Sequence, residues 1–220
     1  MREATWKVVN AAGIRRVVVT KELPGNRWQR YLSDASCRIE IGTSTKVLSE
    51  AQIASAVGDR CDAVIGQLTE DWSERLFSRL AAAGGRVYSN YAVGYNNVDA
   101  AAATRHGIAV GNTPGVLTEA TAEMAAALTF AAARRVGEAE RFLRAGKYEG
   151  WLPTLFLGEL LRRKTVGVVG AGRIGEAYAR MMVEGHKMNL IYFDLHPNPA
   201  LERFVEDYSR FLESRGEAPI

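Results

Sequence analysis

Val166-Gly167-Val168-Val169-Gly170-Ala171-Gly172-Arg173-Ile174-Gly175 is the stretch that decides the fold. The first four residues read as a short buried strand. The glycines that follow form a G-x-G-x-x-G turn, and an amphipathic helical pattern begins at its end. A second apolar run, Leu190-Ile191-Tyr192-Phe193, ends in Asp194, which lies 19 residues past Gly175. Strand, glycine turn, helix, strand and acid in that order describe a dinucleotide site. Gly170 permits the sharp turn, Gly172 lets the backbone approach a pyrophosphate, and Gly175 lets the helix pack closely on the strand. The helix start favours phosphate charge through its free N–H groups and dipole. A carboxylate at Asp194 accepts from the ribose hydroxyls and repels a 2′-phosphate, and no Arg follows it immediately, so the pattern selects NAD over NADP. The bare glycine pattern is weak evidence, and its flanking strands, helix and acid give it its force.

Outward from this stretch, short apolar runs alternate with helical patterns. The expected strands are Arg16–Thr20, Cys37–Ile41, Ala63–Ile65, Arg86–Ser89 and Ile108–Val110. A helix is expected over Asn26–Ser33. Ser49-Glu50-Ala51-Gln52 and Asp71-Trp72-Ser73-Glu74 read as capping boxes, and Asp99–Arg105 as a helix capped by Asn96-Asn97 and stopped by Gly107. This βαβα rhythm places the chain in the α/β class, with a parallel sheet covered by helices. Asn112-Thr113-Pro114-Gly115 breaks the rhythm and reads as a crossing between domains, 1–115 and 116–220. Beyond it, Thr118 reads as the cap of a long Ala-rich helix running to about Arg135. Gly146–Arg163, with Tyr148, Trp151, Leu155 and Phe156, reads as an apolar and aromatic arm; Trp151 is either a core aromatic or a contact with a partner subunit. The tail Leu201–Arg215 has helical periodicity and is expected to cover exposed sheet.

Composition narrows the function classes. The 220 residues carry 28 Lys and Arg against 25 acidic residues, a net charge of +3. That balance does not indicate a nucleic-acid partner. Cys37 and Cys61 are far apart and read as buried reduced thiols, and His106, His186 and His196 show no metal-ligand spacing. Met1-Arg2-Glu3-Ala4 is charged and opens no secretory leader. The apolar stretch Ala120–Ala133 is too short to span a bilayer.

Three further segments carry a family resemblance: Val93-Gly94-Tyr95-Asn96-Asn97-Val98-Asp99, Gly107-Ile108-Ala109-Val110 and Asn112-Thr113-Pro114-Gly115-Val116-Leu117-Thr118-Glu119. With Gly170–Gly175 they resemble the D-isomer-specific 2-hydroxyacid dehydrogenases. Gly66-Gln67-Leu68-Thr69-Glu70-Asp71-Trp72, Tyr148–Pro153 and Met188–Leu195 are similar to the plant-type hydroxypyruvate reductases within that family. The resemblance implies two doubly wound parallel-sheet domains, a flavodoxin-like outer domain followed by a Rossmann domain that is incomplete at its C-terminal side. It implies NADH-dependent reduction of hydroxypyruvate to D-glycerate, and of glyoxylate to glycolate. It assigns the cofactor to Gly170, Gly172, Arg173, Ile174, Gly175 and Asp194, with Thr121 near the nicotinamide. It assigns the carboxylate of a small 2-keto or 2-hydroxy acid to the N–H groups of Val93 and Gly94, and it implies a homodimer in the peroxisome.

The family's catalytic Arg, Glu and His are expected downstream of the second Rossmann strand, in segments this chain does not contain. No catalytic residue is therefore assigned, and none of the three histidines is expected to substitute. The strand Val166–Val169 is expected to lack a neighbour on one side. The terminal Ala218-Pro219-Ile220 is not a peroxisomal tripeptide, so on its own signals the chain reads as cytosolic. A catalytically inactive NAD-binding or interaction protein is the alternative expectation.

Overall fold

The computed structural model describes residues 6–220, so Met1-Arg2-Glu3-Ala4 lies outside the described residues. The chain divides into two compact units that meet in sequence between Pro114 and Gly115.

The first unit runs β1 (Trp6–Val9), β2 (Arg15–Val19), α1 (Arg27–Asp34), β3 (Cys37–Gly42), α2 (Glu50–Val57), β4 (Ala63–Gln67), α3 (Glu74–Ala82), β5 (Val87–Tyr91), α4 (Ala100–Arg105) and β6 (Ala109–Gly111). The sheet order is β1-β3-β2-β4-β5-β6. From β3 to β6 every pairing is parallel, with Val18 opposite Glu40 and Val64 opposite Tyr88. The order of those five strands is the flavodoxin-like one, with its reversal between β2 and β4. β1 was not expected. It caps the sheet edge antiparallel to β3, so the sheet is not wholly parallel.

The pleat of the sheet sorts the core into two layers. Val18, Val64 and Tyr88 face Ile53, Val57, Leu76, Phe77, Leu80 and Ala102, which belong to α2, α3 and α4. Val17, Val19, Ile39 and Ile41 face the opposite side, where α1 brings Trp28 and Leu32. Trp72, fully buried, packs on Tyr88 with ring centroids 3.9 Å apart and the rings tilted by 31°. Both cysteines are buried free thiols, and burial pushes the Cys61 thiol up to about 11.

Local helix signals need three corrections. α2 begins with the full Ser49–Gln52 capping box. At the second expected box, however, Ser73 is the N-cap and makes no side-chain cap, because Asp71 and Trp72 continue an extended path that bridges to Val98. α4 is capped by Asp99, which accepts from Ala102 N at 2.8 Å, and not by Asn96-Asn97. Asn97 is occupied elsewhere, donating to the carbonyls of Gln67 and Glu70. The long Ala-rich helix opens at Thr118 itself, with Leu117 in the cap position and no side-chain cap.

The second unit contains α5 (Thr118–Ala133), α6 (Val136–Arg144), β7 (Thr165–Val169), α7 (Arg173–His186), β8 (Asn189–Phe193) and α8 (Pro199–Ser214). A left-handed residue, Arg135 at φ 55°, separates α5 from α6. β7 and β8 form a two-stranded parallel sheet in which Val168 lies opposite Tyr192. One face is covered: Val166, Val168, Leu190 and Tyr192 pack with Ala179, Met182, Phe130 and Leu201. The other face is bare, with Val169 at 88% exposure and Ile191 and Phe193 at 65%. α8 does not cover that face, because its buried Leu201 joins the already covered side. The arm has no regular structure, and Trp151 is not a core aromatic, being 79% exposed.

Candidate cofactor and carboxylate sites

At the end of β7 the chain must reverse into α7 within a few residues. Gly170 does this at φ 94°, a backbone region that side chains resist. Its N–H donates to Phe193 O at 2.7 Å, which ties the turn to the end of β8. A methyl group at Gly175 would stand 1.9 Å from Gly170 O, so only glycine permits this approach of helix and turn. Gly172 is the opposite case. It sits at the N-cap of α7 in extended conformation, and nothing lies within 4 Å of the position a Cβ would take. The first N–H groups of α7, those of Arg173 and Ile174, have no intrahelical acceptor. The turn is therefore closed on its protein side and open on its solvent side, with bare N–H donors and a helix dipole directed outward.

Asp194 follows β8 directly. Its Oδ2 accepts from Ala171 N at 2.7 Å and its Oδ1 from His196 N at 3.2 Å. These backbone N–H groups, His196 first and then Ala171, hold its carboxyl below the usual carboxylate range. The carboxylate is thus ionised at neutral pH and belongs structurally to the glycine turn as well as to any ribose. Ala171, Gly172, Asp194, His196, Asn198 and Arg203 border an open hollow of about 470 Å³.

Two of these residues were missed by the sequence reading. Asn198 donates to Ala171 O at 2.8 Å and to Glu176 at 3.0 Å, and its own Oδ1 caps α8 by accepting from Leu201 N at 3.0 Å. With Asp194 on its N–H and Asn198 on its carbonyl, Ala171 is held from both sides. An N-cap Asn followed by Pro199 is a readable helix start, but nothing in the spacing says that it also reaches the glycine turn. Arg203 reaches the same hollow from α8, although no Arg adjoins Asp194 in sequence. Thr121 lies exposed in the first turn of α5, and its hydroxyl has no hydrogen-bond partner among the described residues.

Val93 and Gly94 lie in the first unit, in the loop after β5. Val93 O accepts from Asn112 Nδ2 at 2.8 Å, and Gly94 O from Asn90 Nδ2 at 2.9 Å. Neither N–H of the pair has an acceptor among the described residues. Beneath the loop lies a buried polar cluster. Glu70, 1% exposed, accepts from Thr20 Oγ1 at 2.9 Å and Gln67 N at 3.0 Å. Burial pushes its carboxyl above the usual range, against the pull of the Thr20 and Gln67 hydrogen bonds.

The histidines fall in three different settings. His106 Nε2 meets Glu74 at 2.6 Å in a surface cluster that also holds Arg105. His186 packs on the Phe130 ring at 4.5 Å. His196 borders the hollow beside Asp194. Among the described residues no group of His, Cys, Asp and Glu has the arrangement of a metal site.

Comparison with known proteins adds the following. Residues 17–189 match the model of the D-isomer specific 2-hydroxyacid dehydrogenase catalytic domain. The chain is similar to the peroxisomal glycerate dehydrogenase HPR of Arabidopsis thaliana, 62% identical over 97% of this chain and 56% of that protein. It is similar to a glyoxylate reductase of Korarchaeum cryptofilum, 43% identical over 81% of this chain and 52% of that protein. The crystal structure of the TT0316 protein from Thermus thermophilus superposes with a TM-score of 0.78 at 37% identity, over 84% of this chain and 57% of that one. The chain thus spans about half the length of the relatives it matches.

Proposed function

The chain belongs to the D-isomer-specific 2-hydroxyacid dehydrogenases, and from that premise we propose that it carries the cofactor and substrate-carboxylate sites of an NADH-dependent hydroxypyruvate reductase. The products are D-glycerate from hydroxypyruvate and glycolate from glyoxylate. One observation carries the reading: the glycine turn is filled by backbone at Gly175 and empty at Gly172. That is a cradle in which a pyrophosphate takes the place of a side chain.

In this reading Gly170 sets the turn, Gly172 leaves room for the pyrophosphate, Gly175 lets the helix approach, and the N–H groups of Arg173 and Ile174 donate to the pyrophosphate. Asp194 accepts from the ribose hydroxyls with the oxygen lone pairs that Ala171 and His196 leave free. Bound NADH supplies the hydride for the 2-keto carbon. Val93 and Gly94 hold the substrate carboxylate through their backbone N–H groups, and Thr121 lines the nicotinamide pocket. A homodimer is proposed on the exposed apolar arm, where Trp151, Leu152, Leu157 and Leu160 all face solvent. A peroxisomal setting is proposed on the name that the Arabidopsis relative carries. Among the described residues no helix is long and apolar enough to cross a membrane.

A second reading is a cofactor-binding protein without turnover. It is favoured by the histidines: His106 is engaged by Glu74, His186 by Phe130, and His196 stands at the ribose end of the hollow. Titrating NADH into the purified chain by fluorescence, then adding hydroxypyruvate, separates the two. NADH consumption supports the reductase and assigns the proton to a donor within these 220 residues. Binding without consumption supports the second reading, and absence of binding refutes both.

A further inference from the structure

Three successive carbonyls in the loop after β5 are each taken by a fixed donor. Ala92 O accepts from Thr113 N at 2.8 Å, Val93 O from Asn112 Nδ2 at 2.8 Å and Gly94 O from Asn90 Nδ2 at 2.9 Å. A trans peptide is planar, with its C=O and N–H on opposite sides, and no described peptide is cis. Fixing a carbonyl therefore aims the N–H of the next residue the other way. Thr113 aims the Val93 N–H, and Asn112 aims the Gly94 N–H. Because Asn112 and Thr113 are adjacent on the segment leaving β6, both N–H groups face away from that one segment. Neither finds an acceptor among the described residues, and the space beside the Gly94 α-carbon is open to 4 Å.

The anchor below is rigid. Asn90 is fully buried, and its amide is spent on Gly94 O, on Asn97 and on the Tyr88 hydroxyl. Asn112, by contrast, is exposed, has no core to fill, and makes its single described side-chain contact to Val93 O.

We propose that Asn112 is a positioning residue: with the Thr113 N–H it turns the Val93 and Gly94 N–H groups outward as a pair that receives one carboxylate. The proposal rests on the carboxylate role given above to Val93 and Gly94. Without the Asn112 amide, the Val93–Gly94 peptide is free to rotate, and its N–H is no longer presented beside that of Val93. Donation to a charged acceptor is the stronger kind of hydrogen bond, so losing one of two aligned donors weakens carboxylate binding by about tenfold.

The test uses the isotope-labelled chain, wild type and Asn112→Ala, read by NMR. Without ligand, N–H dipolar couplings report orientation directly. The variant is expected to change the coupling of Gly94 and to leave that of Val93, which Thr113 still holds. Sodium glyoxylate is then titrated: both N–H resonances move in the wild type, the variant binds about tenfold more weakly, and NADH affinity is unchanged. Unaltered Gly94 coupling and unaltered glyoxylate affinity in the variant overturn the role of Asn112 alone. A wild type whose Val93 and Gly94 resonances ignore glyoxylate overturns the carboxylate reading, and this proposal with it.

Discussion

Alanine at Gly175 and alanine at Gly172 add the same methyl group three residues apart, with opposite expected consequences. At Gly175 the new Cβ would stand 1.9 Å from Gly170 O and 3.0 Å from Gly170 C, where ordinary contact begins near 3.4 Å. Both obstacles are backbone, so relief requires α7 to retreat from β7 by about 1.5 Å, and the overpacking costs about 3 kcal/mol. For a unit of this size, that lowers its melting temperature by about 10 °C or more. At Gly172 the backbone is extended (φ −73°, ψ −168°), which any residue adopts, and no atom lies within 4 Å of the added methyl. A poorer N-cap and a less flexible unfolded chain act in opposite directions, so the net stability change stays within about 1 kcal/mol. Yet the methyl occupies the space through which a pyrophosphate approaches. NADH affinity is expected to fall by about thirtyfold or more, which corresponds to about 2 kcal/mol. Urea unfolding and NADH fluorescence titration on the two variants form the assay. A Gly172→Ala chain that loses as much stability as Gly175→Ala, or that binds NADH like the wild type, refutes the assignment of the open space to the cofactor.

Glu70 gives a pH signature. Burial raises its carboxyl above the ordinary 4.5, so the folded chain holds that proton to higher pH than the unfolded one. Its contribution to stability is full below 4.5 and is lost as pH rises through the folded value. Glu70→Gln is expected to gain stability relative to wild type as pH increases across that range, and parallel unfolding profiles would contradict this. Asp194→Ala removes the charge that repels a 2′-phosphate and also releases Ala171 N. The ratio of NADPH to NADH affinity is expected to rise about tenfold, with both affinities lower; an unchanged ratio shows that Asp194 does not face the ribose. Trp151→Ser is expected to weaken self-association about tenfold or more by sedimentation, as loss of an exposed aromatic anchor does. Equal association of variant and wild type removes Trp151 from the interface.

Much of the fold was legible because it depends on period. β2 to β6 stand where the sequence predicted, within a residue or two, since each carries a short apolar run or alternation, unbroken at Val17-Val18-Val19 in β2 and alternating at Cys37, Ile39 and Ile41 in β3. β1 was not legible for the complementary reason. Trp6-Lys7-Val8-Val9 is half exposed, and it pairs with the distant edge residues Ile39 to Gly42. The caps failed in a similar way. Asp71, Asn96 and Thr118 are all good capping types, but a cap depends on where the backbone turns. Tertiary hydrogen bonds made that choice here: Asn97 was drawn to Gln67 and Glu70, which left Asp99 to close α4.

The same distinction explains the sites. Gly170, Gly172, Gly175 and Asp194 could be read from the chain because each answers to a local constraint: a left-handed turn, an open approach, a tight approach, and a strand end at fixed spacing. The roles of the residues that hold the glycine turn and the Val93–Gly94 loop in place could not be read, because what they serve lies far along the chain. Asn198 reaches back 27 positions to Ala171 O, and Asn112 reaches back 19 to Val93 O. Both are asparagines that clamp a backbone carbonyl in a loop proposed to receive an anion. In each case the clamp converts a flexible glycine-containing loop into a fixed array of donors, and that rigidity is required before an N–H can select an anion over water. A family fingerprint records the groups that meet the ligand. It does not say which amides aim them: Asn112 stands within a family-like segment, yet only the fold brings it to Val93 O, and its substitution should weaken binding with little effect on the fold.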